Sequence, residues 1–176
     1  MAAILGLDFA AVDHIARDAA EDEVCQAAND NDPAQVVISG HKAAVERAAV
    51  LAKERGAKRA LMLPVSAPFH SALMQPAAAV MAEALAAVEI AAPEVPLIAN
   101  VRAEPVTEPG AIRRLLVEQV TGAVRWRESI EFLAGAGVKS AAISGSGVFR
   151  DENTDERARQ VFFNGEIPDF QVVIPS

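Results

Sequence analysis

The chain has no tyrosine, a single tryptophan and a single cysteine among its 176 residues. With aromatics at only 5%, it offers few flat rings on which nucleic-acid bases could stack. Cationic residues are outnumbered as well: 16 Lys and Arg stand against 24 Asp and Glu, for a formal charge of -8. A general nucleic-acid binder carries the opposite balance, so that class is set aside. One cysteine, Cys25, allows neither an internal disulfide nor a thiolate metal cluster and fits a reducing compartment, which leads us to expect a cytoplasmic protein. No apolar run approaches the ~20 residues needed to span a membrane. The N-terminal stretch Met1 to Asp8 has no basic lead-in and reads as a strand, not as a signal peptide. The three histidines stand 27 and 29 positions apart with no close-spaced carboxylate pair beside them, so no metal motif is expected. There is no P-loop, and no Gly-x-Gly-x-x-Gly follows a strand.

What the chain does have is alanine and regular punctuation. The apolar fraction of 52% suffices for a core, and so much alanine favours helices packed closely on another layer. The length fits one domain, or one domain and a fragment of another. Ala2 to Leu7 predicts a strand. Asp8 is placed to cap a helix from Phe9 to about Ala20, with Val12, Ile15 and Ala19 on one face. Glu23 to Asn29 predicts a second strand, and Asn29-Asp-Asn-Asp-Pro33 a turn. Gln35 to Ser39 reads as a buried strand closed by Gly40. His41 to Arg55 reads as a helix that Gly56 terminates, with Val45, Ala48, Ala49 and Ala52 inward. Lys58 to Pro64 predicts another strand. The order β-α-β-β-α-β is that of the split βαβ, or ferredoxin-like, arrangement.

Beyond it the style changes. Ser71 to about Ile90 predicts a long helix broken by Pro93 and Pro96, and Leu97 to Val101 a short strand. Gly110 to Val120 and Trp126 to Ala136 predict helices, and Gly137 to Ile143 a last strand running into Ser144-Gly-Ser-Gly147. This is α/β in character but too small for a full doubly wound sheet. From Arg150 to Ser176 alanine nearly vanishes. The tail reads as an added hairpin, a disordered segment, or the product of an altered reading frame.

Chemistry concentrates at Pro64-Val-Ser-Ala-Pro-Phe-His-Ser-Ala-Leu-Met74. Its centre, His70, lies at a strand-to-helix junction, where α/β folds commonly meet their ligands. A working imidazole needs a fixed tautomer, and Gln119, or the backbone around it, is a candidate to supply the acceptor. His14, within a helix, and His41, at a helix start, read as surface residues. No serine fits Gly-x-Ser-x-Gly, the strained turn that presents a nucleophile. Ser66 and Ser71 flank His70 within its own segment. Cys25 follows Glu21, Asp22 and Glu23, an acidic setting that raises a thiol pKa instead of lowering it. Basic residues cluster at Lys53, Arg55, Lys58 and Arg59, at Arg113 and Arg114, and at Arg125 and Arg127. These suit phosphates or an acidic partner, and equally a solvated helix face.

Several motifs, in order, resemble one family. Asn29-Asp-Asn-Asp-Pro-Ala-Gln-Val-Val-Ile-Ser-Gly-His41, Gly56-Ala-Lys-Arg-Ala60 and Leu63-Pro-Val-Ser-Ala-Pro-Phe-His-Ser-Ala-Leu-Met74 are similar to malonyl-CoA:acyl carrier protein transacylases. Ile98-Ala-Asn-Val101, Val117-Glu-Gln119 and Val124-Arg-Trp126 continue the likeness, which covers about residues 1 to 147. The resemblance implies a ferredoxin-like small subdomain over residues 1–65. It implies the closing part of an α/β-hydrolase-like acyltransferase subdomain over 66–147, and a divergent tail over 148–176. It puts the catalytic histidine on His70 and the glutamine whose backbone carbonyl orients it on Gln119. Asn29 and Asn31 would face the acyl-CoA cleft, Asn100 would lie near the site, and Phe69 matches the malonyl-selecting form of the motif. The substrates implied are malonyl-CoA and acyl carrier protein, with no cofactor, metal, membrane or nucleic acid. The chemistry implied is attack of a serine on the malonyl thioester, with histidine as general base and backbone amides on the oxyanion.

The departures matter as much. The family's Gly-His-Ser-Leu-Gly turn, its early Gln-Gly loop and its malonate-binding arginine all lie ahead of the position that matches Met1. Its Glu-x-Gly-x-Gly loop is replaced by Ile143-Ser-Gly-Ser-Gly147. The sequence therefore predicts an acyltransferase-family chain without its nucleophile. The alternatives are a non-catalytic module that binds CoA or carrier protein, and an inactive truncated product.

Overall fold

The computed structural model of the chain describes residues 1–138. They form a mixed α/β structure with two small sheets and five helices among the described residues. Two compact units divide the chain, Met1–Phe132 and Leu133–Ser176. Of the second, the described part is the end of the last helix and its exit turn, in which Gly137 adopts φ 71 and Val138 N–H donates to the Leu133 carbonyl. The expected strand from Gly137 to Ile143, the Ser144–Gly147 loop and the tail lie outside the described residues, but for Gly137 and Val138.

The first half follows the predicted rhythm: β1 (Ala2–Leu5), α1 (Phe9–Ala20), β2 (Cys25–Asp32), β3 (Gln35–Gly40), α2 (Lys42–Glu54) and β4 (Arg59–Met62). The strands lie in the order β2-β3-β1-β4, and every neighbouring pair is antiparallel. Asp8 caps α1, its carboxylate accepting from Ala11 N–H at 2.8 Å, as the sequence predicts. Gly56 ends α2 in the left-handed region at φ 98, and Ala57 N–H reaches back to the Ala52 carbonyl, the bond pattern of a glycine C-cap. Val12, Ile15, Ala16 and Ala19 of α1, with Ala44, Val45, Ala48 and Ala52 of α2, pack over Ala2, Ile4, Val36 and Ile38. Burial of an Ile or Val side chain stabilises by about 1.5–3 kcal/mol, and the alanines let both helices approach the sheet. Ala49 is only half-buried. Arg47 of α2 donates to the carbonyls of Ala19 and Ala20 and to Glu23, satisfying the open end of α1 with a cation, as its dipole favours.

Three expectations are corrected. The predicted turn over Asn29–Pro33 is mostly strand: β2 continues to Asp32 with two register shifts against β3. The turn itself is confined to Pro33 and Ala34, and Asp32 at the strand's end braces it, its carboxylate accepting from Ala34 N–H at 3.0 Å. Pairing on the strand's outer edge overrides the local turn preference, because Asp30 N–H donates to the Val124 carbonyl and Val124 N–H to the Ala28 carbonyl. The predicted helix from Ser71 to Ile90 is shorter. A 3-10 turn, Ala72–Met74, leads into α3 (Gln75–Ala86), with Pro76 in its first turn, where a missing N–H costs nothing. At the far end Arg113 takes the Val88 carbonyl at 2.8 Å and the chain turns away. Finally, the strand at Leu97 is β5 (Leu97–Ala99), paired with an unforeseen β6 (Glu104–Val106). Then come α4 (Pro109–Thr121), packed on α3, and α5 (Trp126–Gly135).

Candidate active site

His70 sits at the tip of a turn made by Pro68 to Ser71. Its φ is +55, a left-handed conformation uncommon for a residue with a Cβ and often found where function holds a side chain in place. The turn is locked from below: Ser71 is fully buried and its hydroxyl donates to the Pro68 carbonyl at 2.7 Å. Ser71 is thereby spoken for as a structural group. Phe69, at 43% exposure, faces outward beside the histidine.

The Nδ1 of His70 lies 2.9 Å from the main-chain oxygen of Gln119 in the last turn of α4. A carbonyl only accepts, so Nδ1 carries the proton, and in the neutral ring Nε2 is left with its lone pair. The Gln119 side chain closes the end of α4, its amide donating to the Gly122 carbonyl at 3.0 Å. A Cβ on Gly122 would stand 2.7 Å from the Val101 side chain, so only glycine fits this close approach. From there residues 123–125 run beside β2, where Asn29 forms a parallel bridge with Val124. On the other flank Arg125 N–H donates to the Asn100 carbonyl at 2.9 Å, and the Ser129 hydroxyl lies 3.4 Å from Asn100 Oδ1.

The structure thus joins four of the six predicted site residues, His70, Gln119, Asn29 and Asn100, around one short segment. Phe69 adjoins His70 in the chain, and Asn31 is half-buried two positions beyond Asn29 on β2. The other two histidines part company. His14 is exposed on α1, whereas His41 is not a surface bystander: its Nδ1 accepts from Val24 N–H at 2.9 Å.

Sequence reading missed the ties that hold this constellation. Gln26 of β2 accepts from Ala72 N–H at 3.1 Å, which anchors the histidine's own segment. Arg127, in the first turn of α5, grips Asp30 with a two-pronged ion pair, Nε to Oδ1 at 3.2 Å and Nη2 to Oδ2 at 2.8 Å. Asp30 is 1% exposed. Arg127 also reaches Glu131, and the two carboxylates, Asp30 foremost, hold its guanidinium still more firmly in the charged form. Arg125 bonds Glu128, pulling that carboxyl below its ordinary range. The basic cluster at 125–127 is therefore internal wiring. The paired residues 30 and 127 are 97 positions apart, a separation with no periodic signature to betray them.

A relative from Salmonella typhimurium named malonyl CoA-acyl carrier protein transacylase is 49% identical over 139 residues, 79% of this chain. Over that length the chain is homologous to these transacylases. It covers 45% of that relative, so it spans about half the length of the curated relatives it matches. Solved transacylase structures agree. The acyl-carrier-protein-S-malonyltransferase of Bartonella henselae superposes with a TM-score of 0.82 at 49% identity, covering 98% of this chain and 52% of that one. A structure described as a type II PKS acyl-carrier protein in complex with its malonyl-transacylase gives a TM-score of 0.82 at 36% identity, over 99% of this chain and 54% of that one. A family profile described as phage tail tube protein also matches residues 116–176. It starts within α4, takes in α5, and from residue 139 onward falls outside the described residues; it spans well under half of the chain. The transacylase likeness runs across the same two helices.

Proposed function

We propose that this chain is the histidine-bearing portion of an S-malonyltransferase that moves a malonyl group from CoA to acyl carrier protein for fatty acid biosynthesis. The observation that carries the reading is the His70–Gln119 contact, since it leaves a basic Nε2 on a ring held by the backbone. His70 is the general base, worth typically 10²–10⁴-fold in rate, and Gln119 is its orienting group. The serine it would serve is not among the 176 residues in any Gly-x-Ser-x-Gly setting. Asn29, Asn31 and Asn100 line the acyl-CoA side, and Phe69 borders the malonyl group. Malonyl-CoA enters as substrate and no cofactor is required. A cytoplasmic location fits such an enzyme.

The strand order β2-β3-β1-β4 with two helices on one face supports a ferredoxin-like small subdomain over residues 1–65. Residues 66–147 then form the closing part of an α/β-hydrolase-like acyltransferase subdomain, followed by a divergent tail. A second reading, a non-catalytic module for carrier protein or CoA, is favoured by one observation: Lys53, Lys58 and Arg59 are all exposed near one end of α2 and β4.

Mass spectrometry after incubation with malonyl-CoA tests the main reading. The chain alone should carry no malonyl adduct. Co-expressed with the serine-bearing portion of the Salmonella relative, it should promote malonylation of that serine, and His70→Ala should lower the rate at least 100-fold. An adduct on any serine of this chain alone defeats the reading. No adduct in the pair, together with salt-sensitive carrier-protein binding by the chain alone, transfers support to the second.

A further inference from the structure

We infer that the Asp30–Arg127 ion pair is a positioning device for the His70 ring, one that acts through β2. Both halves of the His70–Gln119 contact hang on this strand. The histidine's segment is tied to it by Gln26, which accepts from Ala72 N–H at 3.1 Å. The Gln119 side is tied through residues 122–125: Gly122 N–H donates to the Glu118 carbonyl at 2.9 Å, and Val124 exchanges main-chain bonds of 2.8 Å with Ala28 and Asp30. These bonds set the height of the segment along β2. They do not by themselves fix its rotation, since a two-bond bridge can pivot.

Arg127 supplies that restraint. Its fork meets both oxygens of Asp30 at 3.2 and 2.8 Å, and a planar guanidinium against a planar carboxylate defines an angle as well as a distance. Asp30 donates its own N–H to Val124, so the same residue fixes the segment through its backbone and the following helix through its side chain. An apolar contact at this point could hold α5 equally well, and replacing a buried pair with apolar groups is often neutral for stability. What such a contact would lack is the angular restraint on the segment that carries the Gln119 carbonyl to His70. The inference rests on His70 being the working histidine, as proposed above, but it concerns the ring's tautomer and is testable without turnover.

Long-range ¹H–¹⁵N spectra of the imidazole nitrogens, with His70 identified by comparison with His70→Gln, read the tautomer of the neutral ring directly. The full chain should show Nδ1 protonated and Nε2 bare. Arg127→Lys keeps the charge and loses the fork, and should raise the Nε2–H population several-fold. The paired change Asp30→Leu with Arg127→Met leaves no buried charge orphaned, since Glu131, which also loses Arg127, is exposed, so it guards against a variant that merely unfolds. It should show the same drift while its melting transition stays cooperative. An unchanged tautomer in that folded double variant overturns the inference and leaves the His70–Gln119 reading standing. A wild-type ring protonated on Nε2 takes both down together.

Discussion

The acceptor that Gln119 presents to His70 is its main-chain carbonyl, 2.9 Å from Nδ1, while its side chain is occupied elsewhere, on Gly122. The two roles of this residue are therefore separable. Gln119→Ala keeps the carbonyl and deletes only the side-chain amide's bonds past the end of α4, a good one to the Gly122 carbonyl at 3.0 Å and a weak one to the Ala123 carbonyl at 3.4 Å. The expected result is a loss of about 1 kcal/mol in urea unfolding, the ordinary worth of one such hydrogen bond, with the His70 tautomer unchanged. A variant that switches the ring to Nε2–H would assign the orienting role to the side chain instead.

How much of this was legible in the sequence depends on the distance over which each feature is encoded. Asp8, Gly56 and the spacing of Val12, Ile15 and Ala19 act within a turn or two of the chain, and the first six elements follow from them. β2 was misjudged beyond Asn29 because its Asn, Asp and Pro residues favour a turn locally, while Val124, far along the chain, supplies the pairing that keeps it extended. β6 carries Pro105 in a three-residue strand, too short and too atypical for an alternating pattern to register. The His70–Gln119 contact spans 49 positions. The residues offer Gln119, or the backbone around it, only as a candidate acceptor, and the family resemblance puts the orienting role on its carbonyl; nothing in the spacing of a histidine and a glutamine announces the contact. His41 looked like a helix-start surface residue because its partner, the N–H of Val24, is an ordinary backbone group.

Gly40 gives the sharpest prediction about folding. A Cβ built on it would stand 1.9 Å from the Val24 carbonyl oxygen and 2.8 Å from the Cα of Cys25. Both obstacles are backbone, so neither can rotate away. The close approach is where β3 and β2 meet beside His41, whose N–H also bonds the Val24 carbonyl. Gly40→Ala should destabilise by more than about 3 kcal/mol, at the high end for single substitutions, or prevent soluble expression. Gly135, with nothing within 4 Å of its missing Cβ among the described residues, provides the control: Gly135→Ala should be neutral or slightly stabilising because it favours helix. Equal melting temperatures for the two variants would contradict this.

Cys25 links stability to alkaline pH. The thiol is buried at the start of β2, and burial is the foremost cause that pushes its pKa from an ordinary 9.0 up to about 11. A group that holds its proton more tightly when folded loses stabilisation as pH rises. Below about pH 9 both states are protonated and the thiol contributes no pH dependence. Between about 9 and 11 the unfolded chain ionises first, so stability should fall through that window. Cys25→Ala should flatten the fall, which urea titrations from pH 8 to 11 would measure. At pH 8 a thiol reagent should label the native protein at least 100-fold more slowly than the denatured one, since the thiolate is the reactive form. Rapid labelling of the native protein would mean that the thiol is neither buried nor raised.

The second half of the chain leaves apolar side chains in water. On α3 Val80 is 66% exposed and Met81 41%, and Val95, between α3 and β5, is 72% exposed. Only Ala78 of α3 is buried, in contrast to the four buried residues of α1. Single exposed apolar residues are unremarkable, but a helix with one buried position and an uncovered apolar surface is a site for association. The chain alone should therefore self-associate at micromolar concentrations, with a weight-average mass in sedimentation velocity that climbs above the 18.5 kDa of one chain as concentration rises. Val80→Glu with Met81→Glu puts two like charges on that surface at exposed helix positions, where the cost to the fold is small. That variant should remain at the mass of one chain over the same range. A wild-type chain that stays monomeric throughout, or a double variant that associates as strongly, would remove α3 as the contact surface.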